Sequence, residues 1–217
     1  MESELVGRHL KFDGGDEKTA RAMYPTTEVR WFGEGPVPND LANWFGALGP
    51  TVALLERTDS YLIPTSKNEP GIKLREGNLE IKMRTGNSQQ MRFASGIEGK
   101  VASFSKWIFP LADDTQQPKG GWIDVAKARR VRTFAIDAGE MTETFERLEV
   151  GCDVELGDVR IGEQLWWTVC LEAFGLDAYQ RIGYLDSTAM HVFSDPLPNL
   201  DPAHASDYVG WLLGVSV

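Results

Sequence analysis

Residues 71–84 read GIKLREGNLEIKMR, two alternating runs joined at Glu76-Gly77-Asn78. Side chains along a strand point to opposite faces with a period of two. Lys73 and Arg75 therefore share one face, and Ile72 and Leu74 the other. In the second run Glu80, Lys82 and Arg84 oppose Leu79, Ile81 and Met83. Turn residues between two such runs predict a hairpin. What alternates here is charge against apolar bulk, and most of the charge is positive.

The same pattern recurs along the chain. In TTEVRWF (26–32), Thr26, Glu28 and Arg30 align, while Val29 and Trp31 point away. In VAKARR (125–130), Val125, Lys127 and Arg129 align; Arg130 and Arg132 take the other parity unless a bulge intervenes. Later the sign reverses: Asp153 and Glu155 share a face, as do Trp166, Thr168, Cys170 and Glu172. Strand-like segments are expected over 26–32, 52–63, 71–76, 79–85, 91–94, 101–109, 122–134, 144–156 and 165–174, with turn residues between them, including Gly86-Asn87, Gly120-Gly121 and Gly157-Asp158. One amphipathic helix is expected, capped by Asn39 or Asp40 and stopped by Gly49-Pro50. In it Leu41, Trp44, Phe45 and Leu48 recur at helical spacing. Many short strands and few helical patterns indicate a mainly β (α+β) domain, a sandwich or a barrel, and not βαβ units.

The chain has 217 residues, 42% hydrophobic and 25% charged, enough for one domain with a substantial core. Residues 1–25 read as a peripheral arm, 26–175 as the core and 176–217 as an extension ending in the apolar stretch YVGWLLGVSV, expected to dock as a helix or strand. No run approaches the roughly 18 apolar residues of a membrane span. The polar, acidic start does not resemble a secretory signal, so a cytoplasmic location is the default expectation. Cys152 and Cys170 read as two buried thiols. The net charge of −10 opposes broad attraction to nucleic acid or to an anionic membrane. A small anionic ligand in a locally basic cavity is still allowed.

Two arrangements account for the charged faces. In one, they meet water outside an apolar core. In the other, the strands close and the charged faces line the interior. Alternation alone favours the first. Solvated faces usually mix signs, however, and here Lys73, Arg75, Lys82, Arg84, Lys127 and Arg129 are grouped on successive strands of an acidic chain. That grouping points to a site.

In order and spacing, EVRW, RTDSYL, GIKLREG, LEIKMR, VAKAR and LEAFG resemble the CYTH superfamily of triphosphate-tunnel enzymes, from about Thr26 to about Gly175. The resemblance implies a closed, antiparallel, eight-stranded β-barrel with a few peripheral helices. It implies a metal-dependent hydrolase of triphosphate or a related phosphoryl compound, with Mg2+ or Mn2+ as cofactor and a small phosphorylated anion as partner. Arg30, Lys73, Arg75, Lys82, Arg84, Lys127 and Arg129 would bind phosphate. Glu28, Glu155 and Glu172 would face the metal, with Glu80 and Asp153 as further candidates. The family opens on two glutamates and a lysine where this chain has Thr26, Glu28 and Arg30. Threonine is a much poorer metal ligand than a carboxylate, which leaves open a catalytically weak protein that only binds an anion.

Other features read more simply. Arg57, Asp59 and Tyr61 align as candidate mouth or structural groups, or as an ordinary surface strand. Trp166 and Trp167 read as core volume before ligand contacts. His9, His191 and His204 carry no metal spacing. The Gly14-Gly15-Asp16-Glu17 run lacks the aromatic neighbour of a cyclase signature, and the closely spaced glycines at Gly96 and Gly99 do not form a phosphate loop.

Overall fold

The computed structural model describes residues 22–111, 120–137, 140–146, 148–193 and 198–215. His9, the Gly14-Gly15 run and most of the expected arm lie outside these residues. The elements are β1 (Ala22–Glu34), α1 (Asn39–Ala47), β2 (Leu55–Leu62), β3 (Gly71–Arg75), β4 (Asn78–Arg84), β5 (Gln89–Arg92), β6 (Glu98–Pro110), β7 (Trp122–Asp137), β8 (Glu140–Thr144), β9 (Gly151–Ile161), β10 (Gln164–Phe174), α2 (Ala178–Val192) and α3 (Tyr208–Gly214), with a 3-10 turn at Pro202–His204. None of these helices is long and apolar enough to cross a membrane.

The strands pair antiparallel in the order β1-β10-β9-β7-β2-β3-β4-β6, and β1 pairs back onto β6. The eight strands form a closed barrel, with β5 added to β6 and β8 to β7. Closure turns the period of two into a strict inside and outside. The β3–β4 hairpin turns through Glu76 and Gly77, both at positive φ (46° and 75°), as a tight hairpin whose twist matches the strands requires.

The outward residues Val29, Trp31, Val154, Leu156, Val169 and Leu171 are buried under Leu41, Trp44 and Phe45 of α1 and Leu185, Ala189 and Val192 of α2. Covering each large apolar side chain contributes about 1.5–3 kcal/mol. Trp44 stacks on Phe193 at 5.4 Å and donates from Nε1 to the Val192 carbonyl at 2.7 Å, joining the two helices. Arg132, on the outward parity of β7, is 2% exposed. It donates to the carbonyls of Gly49 and Pro50 at 3.0 and 2.9 Å and pairs with Glu143 at 2.7 Å, which pins the end of α1 to the barrel.

Several boundaries differ from the sequence expectation. β1 begins at Ala22, not Thr26. The expected 144–156 strand divides into β8 and β9, and β9 runs straight through Gly157, where a turn was expected. Gly157 is there for close approach: an added Cβ would lie 3.1 Å from the Cβ of Arg129 and 3.2 Å from the Ala128 carbonyl. The turn falls instead at Gly162, at φ 56°. Pro38, not Asn39 or Asp40, occupies the α1 cap and makes no side-chain cap bond. The helix α2 was not expected, because exposed Tyr179, Ile182 and Met190 blur its buried stripe of Leu185, Ala189 and Val192.

Two glycines allow a direct test of the packing. A Cβ at Gly33 would overlap the buried Trp167 indole, whereas one at Gly46, inside α1, meets nothing within 4 Å. Gly33→Ala should destabilise by about 1–3 kcal/mol through overpacking. Gly46→Ala should stabilise by roughly 0.5–1 kcal/mol through helix propensity. Urea midpoints that move in the same direction for both variants would contradict this packing.

Candidate functional site

The charged faces point inward. Asp59, from the centre of β2, is fully buried and collects cations from three strands. Arg75 meets it through two parallel bonds, Nε to Oδ1 at 2.9 Å and Nη2 to Oδ2 at 3.0 Å. Lys127 lies 3.0 Å, Arg57 3.3 Å and Lys73 3.4 Å from the same carboxylate. Burial would raise the Asp59 pKa, but Lys73, Lys127 and Arg75 outweigh it and hold the group far below the usual carboxylate range. Glu80, on β4, gathers cations in the same way, 3.1 Å from Lys73, 3.2 Å from Lys106 and 3.3 Å from Arg75. Burial again works to raise it, and the Lys73, Lys106 and Arg75 charges bring it from 4.5 to about 2. Burial pushes the Lys127 ammonium down to about 7, despite Asp59 beside it.

Two further clusters complete the interior. Glu155 is clamped by Arg30 and Arg129, each at 2.7 Å, and Arg30 also reaches Thr168 at 3.2 Å. Although burial opposes it, Arg30 and Arg129 keep Glu155 well below its ordinary value. Lys82 lies between Glu28 (2.5 Å) and Glu172 (3.1 Å), which face each other across β1 and β10. Burial lowers the Lys82 pKa, but Glu172 and Glu28 raise it more, so it stays protonated. Asp153 accepts from Thr133 at 2.7 Å. Cys152 and Cys170 are both buried thiols outside any disulfide, as expected.

One end of the barrel is filled by α3. Trp211 stacks on Phe32 at 4.6 Å, and Tyr208 stacks on Tyr61 at 5.4 Å. Around them pack Ile123, Val125, Val159, Ile161 and Trp166. Trp166 thus fills the inner apolar end and Trp167 the outer core, both as volume. The Tyr208 ring also sits under two of the charges, 3.9 Å from Lys127 Nζ and 4.9 Å from the Arg30 guanidinium. Asp207, which caps α3, pairs with Arg84. Beside α3 a cavity of about 820 Å³ opens onto Glu28, Arg30, Arg84 and Phe104. His204 lines this cavity, and His191 packs edge-on against Phe134.

All seven predicted cations thus enter the interior ion-pair system, each with at least one carboxylate partner. Sequence reasoning missed Lys106 and Tyr208 and did not identify Asp59 as the centre. The alternation of β2 contained the Asp59 signal; nothing local marked Tyr208, which sits between the helix cap Asp207 and the apolar run of α3. Of the predicted metal-facing carboxylates, Glu28 and Glu172 meet at Lys82, and Glu172 lies opposite Asp153 in the β9–β10 register. Among the described residues, no group of three or more His, Cys, Asp or Glu side chains is placed to hold a metal ion. Glu28 and Glu172 share an ammonium, and Glu155 is held by two guanidiniums. Hard divalent cations need several free oxygen ligands, and this donor set does not fit a ready-made Mg2+ or Mn2+ cage. Thr26 is buried, and its hydroxyl has no hydrogen-bond partner among the described residues.

No family model matches the sequence, and no curated protein matches it. Among solved structures, the chain is similar to the Mimivirus capping enzyme triphosphatase in two crystal forms. The monoclinic form gives 12% identity and a TM-score of 0.40, the triclinic form 11% and 0.41, and each comparison covers 78% of this chain and 90% of that one.

The depressed Glu80 value fixes the sign of a pH effect. A carboxyl with a lowered folded pKa contributes stability that is present above its unfolded value and lost as pH falls towards the folded one. Stability should therefore drop between pH 4.5 and about 2 as Glu80 takes up its proton. Glu80→Gln should cost about 3 kcal/mol at pH 7, as for one member of a buried ion pair, and should flatten that acid limb. Urea denaturation from pH 7 to pH 2 reads both, and an unchanged acid limb in the variant would contradict the assignment.

Proposed function

We propose that the barrel binds a triphosphate or a related compact phosphoryl anion and hydrolyses its anhydride. The observation that carries this reading is the convergence of Lys and Arg side chains from six strands on one interior, in a chain of net charge −10. The resemblance of the strand motifs to the CYTH triphosphate-tunnel group supports it independently. Each cation already has a carboxylate partner, so a ligand must compete for it. A monovalent anion gains little from such an exchange. A triphosphate can engage several cations at once, each charge-assisted bond contributing about 1.5–3 kcal/mol.

For hydrolysis, water attacks the terminal phosphorus and the bridging P–O bond breaks. The departing phosphate oxygen becomes an anion that takes up a proton. Cations fixed around the phosphoryl oxygens would stabilise the charge that develops. Lys127, poised at about 7, exchanges its proton near neutral pH and is the group suited to supply it. Thr26 favours a second reading, an anion-binding protein without turnover, because a neutral hydroxyl, unpartnered among the described residues, stands where the resembled family has a carboxylate.

Calorimetry with inorganic triphosphate and release of phosphate separate the two readings. Lys106→Met and Arg84→Met should each weaken binding roughly tenfold or more, while Arg160→Met, on an exposed outward side chain, should leave it unchanged. Metal-supplemented and EDTA-treated samples should be assayed together. Binding with phosphate release supports hydrolysis; binding without release supports the second reading. An absence of binding under every condition removes both.

A further inference from the structure

Glu28, Glu172 and Glu155, which the sequence marks as metal-facing, each have a protein cation against them. We infer that Lys82 is a built-in cation standing between Glu28 and Glu172 in the place of a divalent metal, so that polyphosphate binds this barrel without metal. The inference rests on the anion-binding reading above.

Three independent observations carry it. The first is position: Nζ of Lys82 is 2.5 Å from Glu28 Oε2 and 3.1 Å from Glu172 Oε1, bridging side chains that face each other across β1 and β10. The ammonium also sits 4.6 Å from the Phe104 ring centroid, which fixes it from a third strand, β6. A lysine head is compact, with three donors, and can serve two carboxylates as a small ion would. The second is charge pairing. Glu28 and Glu172 share the Lys82 ammonium, and Glu155 holds the Arg30 and Arg129 guanidiniums, so each of these carboxylates already has a protein cation against it. A divalent ion would have to displace these cations or crowd against them in a largely buried space, which is costly without new ligands. The third is Thr26. It lies two residues before Glu28 on the same inward face, buried, with its hydroxyl lacking a partner among the described residues. A carboxylate there would have raised the negative charge towards what a divalent ion demands; the neutral threonine adds none.

The consequence for the ligand is direct. Triphosphate would meet Lys82 as a cation already seated on its counter-ions, and would need no metal to bridge it to Glu28 and Glu172. Removing the ammonium would vacate the space between two carboxylates and turn it into a cation site.

The test uses the full chain and two probes, inorganic triphosphate and Mn2+. Wild-type protein should bind triphosphate in EDTA within about threefold of its affinity in excess Mg2+, after correction for Mg2+–triphosphate in solution. Titrated with Mn2+ alone, it should show no stoichiometric site by electron paramagnetic resonance. Lys82→Ala should lose about tenfold or more in EDTA, the loss of one charge-assisted bond, and should gain a Mn2+ signal that Glu172→Gln in the same background removes. If Lys82→Ala does not fold, Lys82→Gln is compared by the same measurements, and the wild-type arms decide on their own. Triphosphate binding that requires Mg2+ or Mn2+, or a stoichiometric Mn2+ site in the wild type, overturns the inference while leaving the anion-binding reading intact. An absence of triphosphate binding in both buffers overturns that reading, and this inference with it.

Discussion

Asp59 is the interaction on which the interior depends. A carboxylate with no exposed surface is tolerable only if its lost hydration is replaced, and Arg75, Lys127, Lys73 and Arg57 replace it together. The dependence runs both ways. Four cations from β2, β3 and β7 could not be enclosed near one another without a negative charge among them. Closure of β1 onto β6 is what encloses them, since an open sheet would let the same side chains spread into water. The alternation of charge along each strand and the closure of the barrel are thus one constraint seen at two scales.

That constraint shapes what the interior can recognise. Carboxylates occupy the cations, so an anion entering the proposed site would have to displace several contacts at once. The closed end sharpens this. With α3 packed against Phe32, Tyr61 and Trp166, that end is apolar and filled, and the Tyr208 ring covers Lys127 and Arg30 from that side. The cavity beside α3 opens where Arg84 and Asp207 meet. The same segment therefore closes the apolar end and lines the cavity.

How much of this was legible in the sequence followed the range of the signal. Parity is local, so Lys73, Arg75, Lys82 and Arg84 could be assigned to one face from fourteen residues of sequence. The outward parity of Arg130 and Arg132 was equally readable, though the task of Arg132 in holding α1 was not. Whether a polar face meets water or a lumen depends on the β1–β6 pairing, which joins segments some 70 to 90 residues apart and leaves no mark in either. Gly157 was misread for a related reason: a glycine that admits a neighbouring backbone looks, in sequence, like one that makes a turn. The carboxylates show the limit most clearly. Glu28, Glu155 and Glu172 all point inward as their parity requires, yet what each one touches was decided by Lys82, Arg30 and Arg129, which parity alone does not pair with them.

These like-charged groups share one enclosed space, which in the proposed function a polyanion enters. A crystal structure of the protein with a non-hydrolysable triphosphate analogue tests this most directly. Density for the analogue is expected inside the barrel, with its phosphoryl oxygens within hydrogen-bond distance of Lys and Arg side chains from at least three strands. An analogue bound only on the outer surface, or lysines and arginines turned out into solvent around an apolar interior, would contradict it.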